Sequence, residues 1–174
     1  MEADSAQRMI ANEVEAGLLI YRVHGDPEIL LVRAGGPFWS KTKDAGTWSI
    51  PKSNAGPDDP LAVAQHQFTQ ETGLTVSGTF SPLEPVQQKG GKVLQAYAVE
   101  CDVDLAGFSS KEFELEWPTG SGQLKRFPEI EQIRYFDVRT ALRKLIPAQW
   151  PLLIDAAESL GWPAPRTRRE ASAM

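Results

Sequence analysis

One segment of the chain can be bounded as a helix from its own residues. Asp59 offers a side-chain oxygen to cap a helix start, Pro60 has its φ preset for a first turn, and Gly73 can take the left-handed conformation that closes a helix. These residues predict a helix over 60–72 with Leu61, Ala64 and Phe68 as its core stripe. It lies among β-rich runs: 16–23 and 29–33, separated by the turn residues of HGDPE, a short run at 47–50, then 75–80, 85–89 and 93–101 with Gly90-Gly91 as a hairpin turn. Phe113, Leu115 and Trp117 alternate with glutamates as a half-buried strand does, and EQIRYF at 131–136 follows a loop at 118–129. Two more helices are predicted over 138–144 and 147–160, the second starting at Pro147 and stopping at Gly161. Strands interspersed with helices imply a mixed α/β (α+β) layer fold.

A chain of 174 residues that is 41% hydrophobic and 24% charged can bury one sizeable core. The reading is a lead-in over 1–14, a single domain over 15–161, and a proline- and arginine-rich tail over 162–174 that has little to bury and is expected to be mobile. A formal charge of −5 gives no global basic field for nucleic acid or an anionic membrane, so an anionic ligand has to be caught by local cations. Cys101 is the single cysteine, which excludes an internal disulfide and suits a reducing compartment. The first residues lack the basic start and apolar run of a signal peptide, and no apolar run reaches the ~18 residues of a membrane span; the cytoplasm is the expected location.

Local cations and rings are available. The segment 34–46 reads as a long loop carrying Phe38, Trp39, Lys41 and Lys43; Lys52 sits in a second loop at 51–60, and Lys125 and Arg126 sit in the loop before EQIRYF. Trp48 can either stack on a base or pack in the core.

On the helix itself, Gln67, Gln70 and Glu71 fall within about 100° of one another near the C-terminal half. Three carboxylates there would hold a hard divalent cation through oxygen, but only Glu71 supplies a formal charge. The stretch HQFTQETGL resembles the end of the box that marks the Nudix family, G-x5-E-x7-R-E-U-x-E-E-x-G-U, where U is a bulky apolar residue. Phe68, Glu71, Gly73 and Leu74 match. Ser53 stands for the first glycine, Asp58 for the early glutamate, His66 for the arginine, and Gln67 and Gln70 for two glutamates, with one residue missing between Ser53 and Asp58. The flanks GGPFWSKTKDAGTWSIPK and FELEWPTGSGQLKRFPEIEQIRYFDV look like one bacterial branch of that family, the branch of diadenosine polyphosphate and nucleoside triphosphate pyrophosphohydrolases. The resemblance covers roughly 15–161.

What the resemblance implies is a mixed sheet sandwiched between helices and hydrolysis of a nucleoside diphosphate-linked compound. Mg2+ or Mn2+ on the box acids would polarise the phosphate and activate water. Carried onto this chain, the catalytic positions are Gln67, Gln70 and Glu71, with Glu71 and Gln67 as metal ligands and Lys52, Lys43, Trp39, Lys125 and Arg126 as the candidate substrate contacts. Gln offers a neutral carbonyl oxygen but neither a charge nor a base, so the metal is expected to be held weakly. Glu114, Glu116, Glu129 and Glu131 are candidate substitute acids, although Glu114 and Glu116 also fit a solvated strand face. His66 fits a structural contact to Asp58 or a metal ligand. Two functions are compatible with these residues: a weakened nucleotide pyrophosphohydrolase, and a catalytically silent domain that binds a nucleotide or a partner protein. A third use, through the tail residues Arg166, Arg168 and Arg169, names no partner.

Overall fold

The computed structural model describes residues 14–37 and 44–163. Phe38, Trp39, Lys41, Lys43, Arg166, Arg168 and Arg169 lie outside them.

The chain opens with β1 (Val14–His24) and β2 (Asp26–Ala34), an antiparallel hairpin that turns at Gly25, whose φ of 80° suits glycine. Two short strands follow, β3 (Trp48–Ser49) and β4 (Lys52–Asn54), and then helix α1 (Pro60–Thr72). After it come β5 (Ser81–Pro82), β6 (Val86–Gln87) and β7 (Val93–Glu100). A separate hairpin is made of β8 (Glu112–Glu116) and β9 (Leu124–Pro128). The last strand, β10 (Ile130–Asp137), runs into α2 (Val138–Lys144) and, past a 3-10 turn at Pro147–Gln149, α3 (Trp150–Leu160).

The main sheet has the order β10-β2-β1-β7-β5, with β3 added on β2, β4 on β1 and β6 on β7. It is mixed: β1 is antiparallel to β2 and parallel to β7 from Val14↔Val93 to Tyr21↔Glu100. Such a central strand is covered on both faces, so its apolar run is continuous rather than alternating. Leu19, Ile29, Leu31 and Ala96 face α2 and α3, where Leu142, Leu152 and Leu153 cover them. Leu18, Ile20, Leu30 and Val99 face the other way, against Ala64 and Phe68 of α1. The result is the layered α+β architecture expected, with the sheet between helices.

Helix α1 has the predicted bounds for the predicted reasons. The Asp59 side chain accepts from the Ala62 N–H, Pro60 is in the first turn, and Gly73 closes the helix at φ 71°. Its buried residues are Ala64, Phe68 and Thr72, with Leu61 packed at the edge. Trp48 is core: it is 1% exposed, donates to Asp44 Oδ1 at 2.7 Å and packs edge-on against Phe136 at 5.0 Å.

Five local expectations need correction. The run 75–80 buries Val76 but exposes Ser77, Gly78 and Thr79 in succession and forms no strand; it is irregular and bends at Gly78, φ 143°. The segment 85–89 contracts to β6, two residues long. The presumed loop 51–60 opens with β4, and the presumed loop 118–129 contains β9, so Lys125 and Arg126 lie on a strand. The helix expected from Pro147 begins as a 3-10 turn and becomes α-helical at Trp150.

Candidate functional site

The site begins where β1 and β2 part. They pair only from Tyr21↔Ile29 to His24↔Asp26, and the segment carrying β3 and β4 wedges into the gap, β3 on Val32 and Arg33 of β2, β4 on Glu15 to Gly17 of β1. Gly17 lets this wedge approach, since a Cβ there would stand 2.8 Å from Ile50 Cδ1 and 3.2 Å from the Pro51 carbonyl. Buried Gln149 pins the wedge from behind, accepting from the Ile50 N–H at 3.0 Å and donating to Ser49 Oγ at 2.9 Å. Ser53, opposite Ala16 on β4, is thereby held beside α1, where its Oγ donates to Glu71 Oε1 at 3.2 Å.

The end of α1 is closed by backbone donors from elsewhere in the chain. Helix-terminal carbonyls lack partners within the helix and must find them outside. The Thr69 carbonyl takes the Gly73 N–H at 2.8 Å, the Glu71 carbonyl the Lys111 N–H at 3.1 Å, and the Thr72 carbonyl the Ser109 N–H at 2.9 Å. Lys111 in turn accepts the Glu129 N–H at 2.7 Å, and the Glu129 carbonyl accepts the Gly35 N–H at 3.1 Å. The root of the β8–β9 hairpin is therefore clamped between α1 and the Gly35-Gly36 turn. Gly35 has no room for a side chain, because a Cβ would run into the Pro128 carbonyl.

This clamp brings Glu129 to Glu71. Glu71 is half-buried, and its carboxyl is pushed above the usual carboxylate range; burial is the main cause, the Glu129 charge adds to it, and the Ser53 hydrogen bond and the Lys111 charge oppose it. Of the amide positions, Gln67 is half-buried and Gln70 exposed. Of the four candidate substitute acids, Glu129 is the one whose charge acts on Glu71. Glu114 lies on the exposed face of β8, 3.9 Å from Arg126, which also reaches Glu112 at 3.6 Å. Glu116 shares that exposed face, and Glu131 is the residue left over where the β10 register shifts between Ile130 and Gln132, also exposed.

The remaining candidates are placed as follows. Lys52 holds both oxygens of Glu15 at 2.9 Å. Lys125 and Arg126 are exposed on β9, while Lys43 and Trp39 are outside the described residues. His66 and Asp58 are both exposed, and no ion pair joins them among the described residues. Sequence reasoning passed over Lys111, which has no motif around it. The signal that would have found it is the hairpin register: Glu112↔Pro128 sets Lys111 opposite Glu129.

No protein-family model and no curated protein sequence matches the chain. Solved structures do. An Ap4A hydrolase of C. elegans, in a binary complex, superposes with a TM-score of 0.58 at 20% identity over 84% of this chain and 98% of its own. The NUDIX domain of NrtR from Shewanella oneidensis, complexed with ADP ribose, gives 0.58 at 15% identity over 84% and 87%. The chain has a Nudix fold. The C-terminal domain of mouse MUTYH, solved in complex with human PCNA, matches it as well, at 0.53 and 13% identity over 88% and 93%.

The helix that the sequence resemblance assigns to the box is α1, and the positions where that resemblance expects carboxylates hold Gln67, Gln70 and Glu71. Among the described residues no group of three or more His, Cys, Asp or Glu side chains could hold a metal ion. Mg2+ demands an octahedron of oxygens and is commonly held by one or two carboxylates plus substrate phosphates. Here the two acids are Glu71, already bonded by Ser53, and Glu129. The donor set does not fit a divalent ion resident on the protein alone.

Proposed function

We propose that this chain is a Nudix-type domain that binds a nucleoside diphosphate-linked compound and hydrolyses it at least about a hundredfold more slowly than it would with its box glutamates restored. The observation that carries this reading is the loss of charge on the last turns of α1: two amides beside a single half-buried carboxylate that Ser53 already engages. Carboxylates that bind an ion directly set both its affinity and its position, and amides replace neither the charge nor the basicity.

The ligand class is supported by the solved neighbours, one a hydrolase of Ap4A by name and one carrying ADP ribose. That the fold also serves binding is supported by the neighbour solved with a protein partner. In this reading the chain's own groups bind and orient: Ser53 fixes the Glu71 rotamer, and the Lys111–Glu129 backbone clamp fixes the chain beside it. A second reading, hydrolysis at ordinary rates with a cation that arrives on the ligand's phosphates, draws on the nearness of Glu129 to Glu71.

The test compares the natural protein with Gln67→Glu/Gln70→Glu in Mg2+ or Mn2+, following product release from diadenosine tetraphosphate and a nucleoside triphosphate panel beside equilibrium binding of ADP-ribose. Binding by both proteins with fast turnover by the double variant alone is expected. Natural turnover within about threefold of the variant would establish the second reading instead.

A further inference from the structure

We infer that the Gln67 and Gln70 amides, together with Lys111, stand in for the charge of a divalent ion, so that this pocket takes its ligand's diphosphate without metal. The inference rests on the nucleotide-binding reading above and adds how the phosphates are held.

The first step is charge. Exchanging two carboxylates for amides raises the charge of the pocket by two elementary charges, which is what one bound divalent ion contributes. A box with its glutamates needs that ion between itself and a phosphate, because carboxylate and phosphate oxygens are both acceptors and both negative. An amide reverses this relation. Its NH2 group donates, so Gln67 and Gln70 can meet phosphate oxygens directly where glutamates would repel them. Gln67 is half-buried and Gln70 exposed, so a ligand arriving from solvent can reach both.

The second step is Lys111. Its backbone is fixed on both sides, the N–H on the Glu71 carbonyl at 3.1 Å and the carbonyl on the Glu129 N–H at 2.7 Å. Several surface cations are engaged by acids, Lys52 by Glu15, Arg126 by Glu112 and Glu114, and Arg22 by Glu28 and Asp102; Lys111 is set apart by its backbone position beside Glu71, on which its charge acts. Lys111 is exposed and makes no ion pair among the described residues. The Lys111 charge acts on Glu71 and so offsets one of the two acids beside the amide face, where an anion would otherwise meet both.

Isothermal titration with ADP and ADP-ribose, in EDTA and again in millimolar Mg2+, tests this. The natural protein should bind with affinities that differ by less than about threefold between the two buffers. Lys111→Gln should weaken binding about tenfold in EDTA with an unchanged melting temperature, and Lys111→Arg should keep most of the affinity. Gln67→Glu/Gln70→Glu should lose at least about tenfold in EDTA and recover it with Mg2+. Binding by the natural protein that appears only with Mg2+, or a Lys111→Gln variant that binds as the natural protein does, overturns the inference and leaves the nucleotide-binding reading in place. Absence of binding in both buffers overturns both.

Discussion

Glu15 shows how a single residue can tie the site's scaffold together. It is 14% exposed, takes Lys52 Nζ on both oxygens at 2.9 Å and accepts Gln88 Nε2 at 2.7 Å. Burial pushes its carboxyl up, but the Lys52 and Gln88 hydrogen bonds and the Lys52 and Lys92 charges outweigh it, so the group sits below the usual carboxylate range. A carboxyl that is more acidic folded than unfolded adds stability above its unfolded pKa, and that stability is lost as pH falls through the folded value. Glu15→Gln should therefore cost about 1–2 kcal/mol at pH 7. Urea melts at a series of pH values should show the gap to the natural protein closing as pH falls through the carboxylate range; a gap independent of pH would refute the assignment. Lys52 was expected at the ligand, and its partner could not be read from the sequence. The pair exists because the β1–β4 register sets Lys52 opposite Gly17, two residues from Glu15 on the same strand face.

Elements with their own boundary chemistry were legible. Helix α1 needed only Asp59, Pro60 and Gly73, all of them local, and α2 ran over its predicted span. Elements defined by a distant partner were not. The run 75–80 reads as a strand, but it buries Val76 alone and, although Gly78 lies against the Glu100 carbonyl of β7, it forms no ladder there. Conversely, the glycines of 118–129 suggested an unbroken loop, while only the tip turns and Leu124–Pro128 pairs back on β8. The two-residue β3 is the extreme case, held by Trp48 in the core and by the Ile146 N–H on the Trp48 carbonyl at 2.8 Å. Trp48→Ala should cost about 3–5 kcal/mol, a large share of the roughly 5–15 kcal/mol of a typical domain. Chemical denaturation measures it, and a loss under about 1 kcal/mol would mean that β3 is held without its tryptophan.

For the molecule as a whole, the layered class was legible from the order of strands and helices, but the parallel union of β1 with β7 was not, since it depends on which edge of β1 the rest of the chain returns to. The covering of each sheet face follows from that choice. Removing residues 146–174 would strip Leu152, Leu153 and Ala156 from the face that includes Leu19 and Leu31, and the truncated chain should bind ANS and run as aggregate in gel filtration. A soluble truncated chain with no ANS signal would mean that this face does not need α3. The splayed β1–β2 hairpin also has a consequence for how the protein is made. It leaves the ribosome before β7 does, with one side of β1 reserved for a strand that begins only at Val93. At ~5–20 residues per second, Leu18, Leu19 and Ile20 wait on the order of ten seconds for that partner. During every round of translation a strand that carries Leu18, Leu19 and Ile20 is thus an open edge until β7 is made, the kind of edge that invites pairing with another chain.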